Sequence, residues 1–203
     1  MSSAAEVISR DGYAGASLKL IAAGANVTTG AFYALFASKE QMAREIVDRA
    51  RAHVPVVADL VRRRCGEGAS PLDRLGALWY ELVCLAIEDP IVCAAIRLSV
   101  ETPQIAGTPV WHGWVPLLEE EAVAAAEAGE LDASVAPTLG MLLTCVCVGV
   151  WAMRPWTREY VTRFATVTWA LVTLGVGQLK REQYVPTPCW LSPAPAPVPP
   201  SGG

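Results

Sequence analysis

Between residues 17 and 40 the chain reads SLKLIAAGANVTTGAFYALFASKE, a stretch too crowded with start and stop signals to hold anything but short helices and tight turns. Leu18, Ile21 and Ala22 recur at helical spacing, so one short helix buries that face. Ala25, Asn26 and Val27 then break it, and asparagine is one of the few residues besides glycine that tolerates a left-handed backbone. Thr28 follows as a natural N-cap for a second short helix carrying Gly30, Ala31 and Tyr33, and Phe36 returns to the core. Ser38 caps a third helix, with Lys39 and Glu40 in its first turn. Helix, tight turn and small-residue helix is the layout of a helix-turn-helix, whose second helix enters a DNA major groove. Spacing alone leaves a plain helical hairpin in an all-α domain as the alternative.

The run V-T-T-G-A-F-Y-A-L-F-A-S-K-E resembles the DNA-binding domain of the TetR (tetracycline-repressor) family, with Tyr33, Phe36 and Lys39 at that family's usual positions. More narrowly it is similar to the γ-butyrolactone receptor branch, where G-A-[LF]-Y precedes a Phe and then S-K-E. The resemblance implies a helix-turn-helix head on a larger helical body that binds a small molecule and dimerises. It further implies a repressor of secondary-metabolite or antibiotic genes, released by a γ-butyrolactone-type signal. Against the family pattern, Thr29 stands where many butyrolactone receptors have Lys, Leu35 where they have His, and Asn26 where they have Gly. Leu20 replaces a residue that is often acidic or polar. The first helix is expected to be truncated, since TetR-type chains usually start further upstream.

The remaining sequence fits that plan. Residues 3–10 read as a helix with Ala5 and Ile8 facing inward, ended by Asp11-Gly12. Residues 38–64 form one long helix, its apolar side marked by Met42, Ile46, Val54, Val57 and Leu60, and Pro55 is expected to kink it. Ser70-Pro71 and Asp89-Pro90 open two strongly apolar helices. Residues 102–109 read as a loop. Trp111 to Trp114 opens a helix closed by Gly129, on which Glu119, Glu120 and Glu121 read as the solvated face. Residues 133–153 and 157–179 are the last long helices, joined at Arg154-Pro155-Trp156. The Pro-rich run from 185 reads as a disordered or polyproline tail. No strand pattern appears. The expected architecture is all-α, about nine helices, with a DNA-binding domain at 1–50, a ligand-binding and dimerisation domain at 51–184, and a tail at 185–203.

Composition narrows the function classes. More than half of the 203 residues are hydrophobic (53%), enough for a sizeable core, and the net charge of -4 excludes a diffusely basic nucleic-acid-binding surface. The head itself is near neutral. Only two histidines accompany six cysteines, none in a C-x-x-C, so neither a metal site nor a cofactor is expected. No nucleophile elbow or acid–base pair stands out, and no enzymatic activity is expected. A reducing cytoplasm suits the free thiols. The charge-free stretches of the last two helices are interrupted or too short to span a membrane.

Thr28, Thr29, Gly30, Ala31, Tyr33 and Lys39 are the expected DNA-contacting residues. The start of the second helix favours phosphate, and Tyr33 and Lys39 reach the backbone. Thr29 or Ala31 meets a thymine methyl, and Gly30 allows close approach. For the ligand, Trp114 matches by position the Trp of the butyrolactone-receptor body, so its ring is expected to lie against a lactone. Trp79, Leu82, Val83, Leu98 and Cys147 complete an apolar wall, and Thr144 supplies a polar anchor. The bland reading of these residues is core packing. Arg97 is the lone charge before Glu101 in its helix, and a pair one turn apart accounts for it. The partners expected are an operator duplex, an apolar small molecule and a second copy of the chain. The alternative is a TetR-like ligand-binding protein that has lost DNA binding.

Overall fold

A computed structural model of the chain describes residues 1–153 and 157–176. The expected turn at 154–156, the end of the last helix beyond 176 and the Pro-rich tail lie outside the described residues. Ten α-helices and one 3-10 turn follow one another, and no strand occurs among the described residues. The head comprises α1 (Ser2–Gly15), α2 (Leu18–Gly24) and α3 (Thr29–Leu35), and α4 (Lys39–Cys65) leads from it into the body. The body continues with α5 (Pro71–Glu88), α6 (Pro90–Glu101), the short α7 (Pro103–Ala106), the 3-10 turn Val110–Gly113, α8 (Trp114–Glu127), α9 (Ala136–Ala152) and α10 (Arg158–Val176). No helix among the described residues is long and apolar enough to cross a membrane.

Local chemistry explains most of the boundaries. Each of α2 to α6 starts at a residue whose side-chain oxygen accepts an orphan backbone N–H: Ser17 from Leu20, Thr28 from Ala31, Ser38 from Gln41, Ser70 from Asp73, and Asp89 from Ile91 and Val92. Asn26 takes the left-handed conformation at φ 54°, which turns the chain from α2 into α3. Gly12 leaves helical geometry at φ 75°, so α1 consists of two helical stretches meeting at the break that Asp11-Gly12 announced. The expected domain boundary at residue 50 falls inside α4, a single helix from Lys39 to Cys65.

Body packing pairs α8 with α9, α5 with α8 and α9, and α4 with α6, while α1 lies along α6 and joins head to body. Trp79, Leu82, Ile96, Leu98, Trp114, Leu118 and Leu139 are fully buried at the centre. Two glycines admit close neighbours. A Cβ on Gly76 would stand 2.7 Å from the indole of Trp169, and one on Gly140 would stand 2.9 Å from the backbone of Glu119 and Val115.

Several details depart from the sequence-based expectations. Leu60, expected on the apolar side of α4, is exposed. The loop at 102–109 holds the helical turn α7, started by Pro103. Glu121 is not on a solvated face: it is 6% exposed, because Arg74 reaches across from α5 to donate to its carboxylate at 2.9 Å and Arg62 approaches at 3.6 Å. Gly140 seats α9 closely on α8 within the chain.

Candidate functional site

In the head, α2 and α3 form a helix-turn-helix whose shape is set by the two caps and the Asn26 turn. Only Phe32 of α3 is buried, with Phe36 at 5.4 Å and Tyr33 edge-on at 5.5 Å from its ring. The outer face of α3 therefore presents Thr29, Gly30, Tyr33, Ala34 and Leu35, with Tyr33 56% and Leu35 72% exposed. Thr28 spends one lone pair of its hydroxyl on the Ala31 N–H, and Ala31 is half-buried. Thr29, Gly30 and Tyr33 thus share one open face. No charged residue sits on α3, so groups able to approach a phosphate electrostatically must come from elsewhere in the head, where Lys19 and Arg44 are exposed.

Lys39 occupies a different place from its neighbours in the expected set. Its Nζ donates to the Tyr13 carbonyl oxygen at 2.5 Å and lies 4.3 Å from the centre of the Tyr13 ring. Partial burial pushes its ammonium below the usual lysine range. In this conformation Lys39 stitches the start of α4 to the end of α1. Ala34 and Leu35 were not expected at the reading face. Their exposure follows from the shortness of α3, which leaves only one side to bury.

All seven expected ligand residues are in the body and all are buried. Trp79, Leu82 and Val83 share one face of α5 by their i, i+3 and i+4 spacing. Leu98 comes from α6, Trp114 opens α8, and Thr144 and Cys147 come from α9. Trp79 donates its indole N–H to the Leu143 carbonyl at 3.1 Å and stacks on Trp169 with centroids 6.2 Å apart. Burial pushes the Cys147 thiol well above its ordinary range, so it is a neutral, small apolar group. The Thr144 Oγ1 is buried and has no hydrogen-bond partner among the described residues. An unpaired buried hydroxyl costs on the order of 1–3 kcal/mol. A ligand carbonyl or hydroxyl reaching it would recover that loss.

A third feature is an exposed apolar stripe. On α9, Met141, Leu142 and Cys145 face outward, and on α10 Tyr160, Val167 and Leu171 recur at helical spacing on the open side.

Residues 1–46 match the family described as bacterial regulatory proteins, tetR family. No curated protein sequence matches the chain. Among solved structures, a gamma-butyrolactone receptor described as ArpA-like is 24% identical with a TM-score of 0.75, over 89% of this chain and 87% of that one. The TetR family protein CprB from Streptomyces coelicolor, in complex with its biological operator sequence, is 26% identical with a TM-score of 0.71, over 89% and 87%. AibR in complex with isovaleryl coenzyme A and operator DNA shares the fold at 20% identity and a TM-score of 0.67, over 84% and 94%.

Proposed function

We propose, from a chain whose first 46 residues are a TetR-family head and whose remainder has the fold of TetR-type regulators, that it is a ligand-released transcriptional repressor acting as a homodimer. The observation that carries this reading is the open face of α3, where Thr29, Gly30 and Tyr33 stand together on a helix held by side-chain caps. A helix so presented fits a major groove, with Tyr33 on a phosphate and Thr29 against a thymine methyl. Gly30 allows close approach, and Thr28 supports the helix start. Lys39 reaches the DNA backbone only after leaving Tyr13.

The ligand site proposed is the buried wall of Trp79, Leu82, Val83, Leu98, Trp114 and Cys147, with Thr144 Oγ1 as its polar anchor. A small molecule with an apolar arm and a carbonyl, such as a γ-butyrolactone, suits that chemistry. The apolar stripe on α9 and α10 is the proposed dimer surface, two helices from each copy making a four-helix contact. Ligand binding lowers DNA affinity to the extent that the ligand prefers the conformer whose two reading helices no longer match successive grooves. Control of secondary-metabolite genes in the cytoplasm is the biological role this reading implies. It involves no chemical turnover.

Fluorescence anisotropy on DNA from the gene's own upstream region, at two salt concentrations and with a γ-butyrolactone added, tests it. Salt-sensitive binding that the lactone reverses is the expected result. A second reading is favoured by Lys39, whose ammonium is engaged within the head: a ligand-binding protein of TetR ancestry without an operator. Lactone binding with no DNA binding at either salt concentration selects that reading.

A further inference from the structure

We propose that Arg97 is the strut through which the body holds the head, with Gly12 as the hinge it controls. The helix α6 is apolar along nearly its whole length, PIVCAAIRLSVE, so a guanidinium in it needs partners. Glu101, one turn on, meets Arg97 Nε at 2.7 Å and would suffice as a local partner. The same side chain also leaves its own helix. Arg97 Nη1 donates to the Ser9 carbonyl at 2.9 Å and to the Arg10 carbonyl at 2.7 Å, both on α1.

Those two carbonyls lie at the end of the first helical stretch of α1, immediately before Gly12 departs to φ 75° and ψ 173°. They belong to the group of helix-end acceptors that find no partner in their own helix, and a cation there also complements the helix dipole. Gly12 makes the approach feasible, because a Cβ at that position would stand 2.8 Å from Glu101 Oε2 and 3.1 Å from Arg97 Nη2. Beyond the break, the Tyr13 carbonyl is held by Lys39 of α4. The two sides of Gly12 are thus pinned by different helices, the first by α6 and the second by α4.

The far side of α6 faces the proposed ligand wall. Leu98, next to Arg97, is buried there. Ser99 Oγ donates to Ala95 O at 2.7 Å and accepts the Val110 N–H at 3.2 Å, which ties α6 to the turn that runs directly into Trp114. A shift of α6 that accommodates a ligand beside Leu98 and Trp114 therefore reaches α1 through Arg97. It alters the angle across Gly12 while Lys39 holds the other side. This transmission step rests on the function proposed above. The strut itself does not.

The test uses the full chain and its Arg97→Ala and Arg97→Lys variants in two arms. Hydrogen exchange read by mass spectrometry follows peptides from the head and from α5. Arg97→Ala is expected to speed exchange in the head on the order of tenfold, the scale of losing charge-assisted hydrogen bonds, with α5 unchanged and Arg97→Lys in between. Head exchange identical to wild type in both variants overturns the strut. In the second arm, DNA affinity is measured with and without γ-decalactone, a γ-lactone with an alkyl arm, and lactone affinity is followed by tryptophan fluorescence. Arg97→Ala is expected to shrink the lactone-induced fold-change in DNA affinity at unchanged lactone affinity, which a role in stability alone would not do. A full wild-type fold-change in Arg97→Ala overturns the transmission step. A wild-type chain that binds neither DNA nor lactone refutes the repressor reading instead, and the exchange arm still decides Arg97.

Discussion

The head and the body of this molecule are built by different physics. In the head, α2 and α3 are one to two turns long, bury little beyond Ile21, Ala22 and Phe32, and leave Leu20, Tyr33 and Leu35 exposed. Their conformation is dictated by hydroxyl caps and one left-handed asparagine. In the body, tryptophans, leucines and isoleucines from several helices are buried together, and the helices are positioned by what they exclude from water. A part shaped by caps can keep its outer face open for a partner. A part shaped by packing can enclose one.

Substitutions that separate these two regimes should fall in a definite order. Trp79→Ala removes a fully buried indole and its bond to Leu143, and should cost the body about 3–5 kcal/mol in urea denaturation. Gly140→Ala should cost about 1–3 kcal/mol, because the new methyl group meets the backbone of α8 and neither helix can yield locally. Glu121→Ala should destabilise the body clearly more than Glu120→Ala, since the first strips a buried partner from Arg74 and the second only an exposed one from Arg62. Thr28→Ala should cost about 1 kcal/mol, visible as faster exchange in α3 with the body unchanged. Leu35→Ala, at the most exposed apolar residue of the head, should change stability by less than about 0.5 kcal/mol. If it also weakens DNA binding, the exposed apolar face of α3 belongs to the interface rather than to the fold.

The same division explains what could be read in advance. Caps, proline starts and the Asn26 turn are local, so Thr28, Ser38, Ser70 and Asp89 announced their helices from sequence alone. Features that depend on distant partners did not announce themselves. Glu121 sits in a run of three glutamates that reads as solvated, and only the packing of α5 on α8 brings Arg74 to it. The inward turn of Lys39 depends on where α1 delivers the Tyr13 carbonyl. Arg97 was legible as a partner of Glu101, but its reach to Ser9 and Arg10 follows only from α1 lying along α6. Burial of Trp114 and Thr144 was legible from their helices; that the Thr144 hydroxyl finds no partner among the described residues was not.

Hydroxyl-radical footprinting of the chain on DNA from its own upstream region addresses the central claim most directly. Two protected patches, centred about 34–36 Å apart on one face of the duplex, lost in Tyr33→Ala and relieved by a γ-butyrolactone, are the result expected of a dimeric helix-turn-helix repressor. Uniform cleavage at low salt, with the chain folded and the lactone bound, would contradict it.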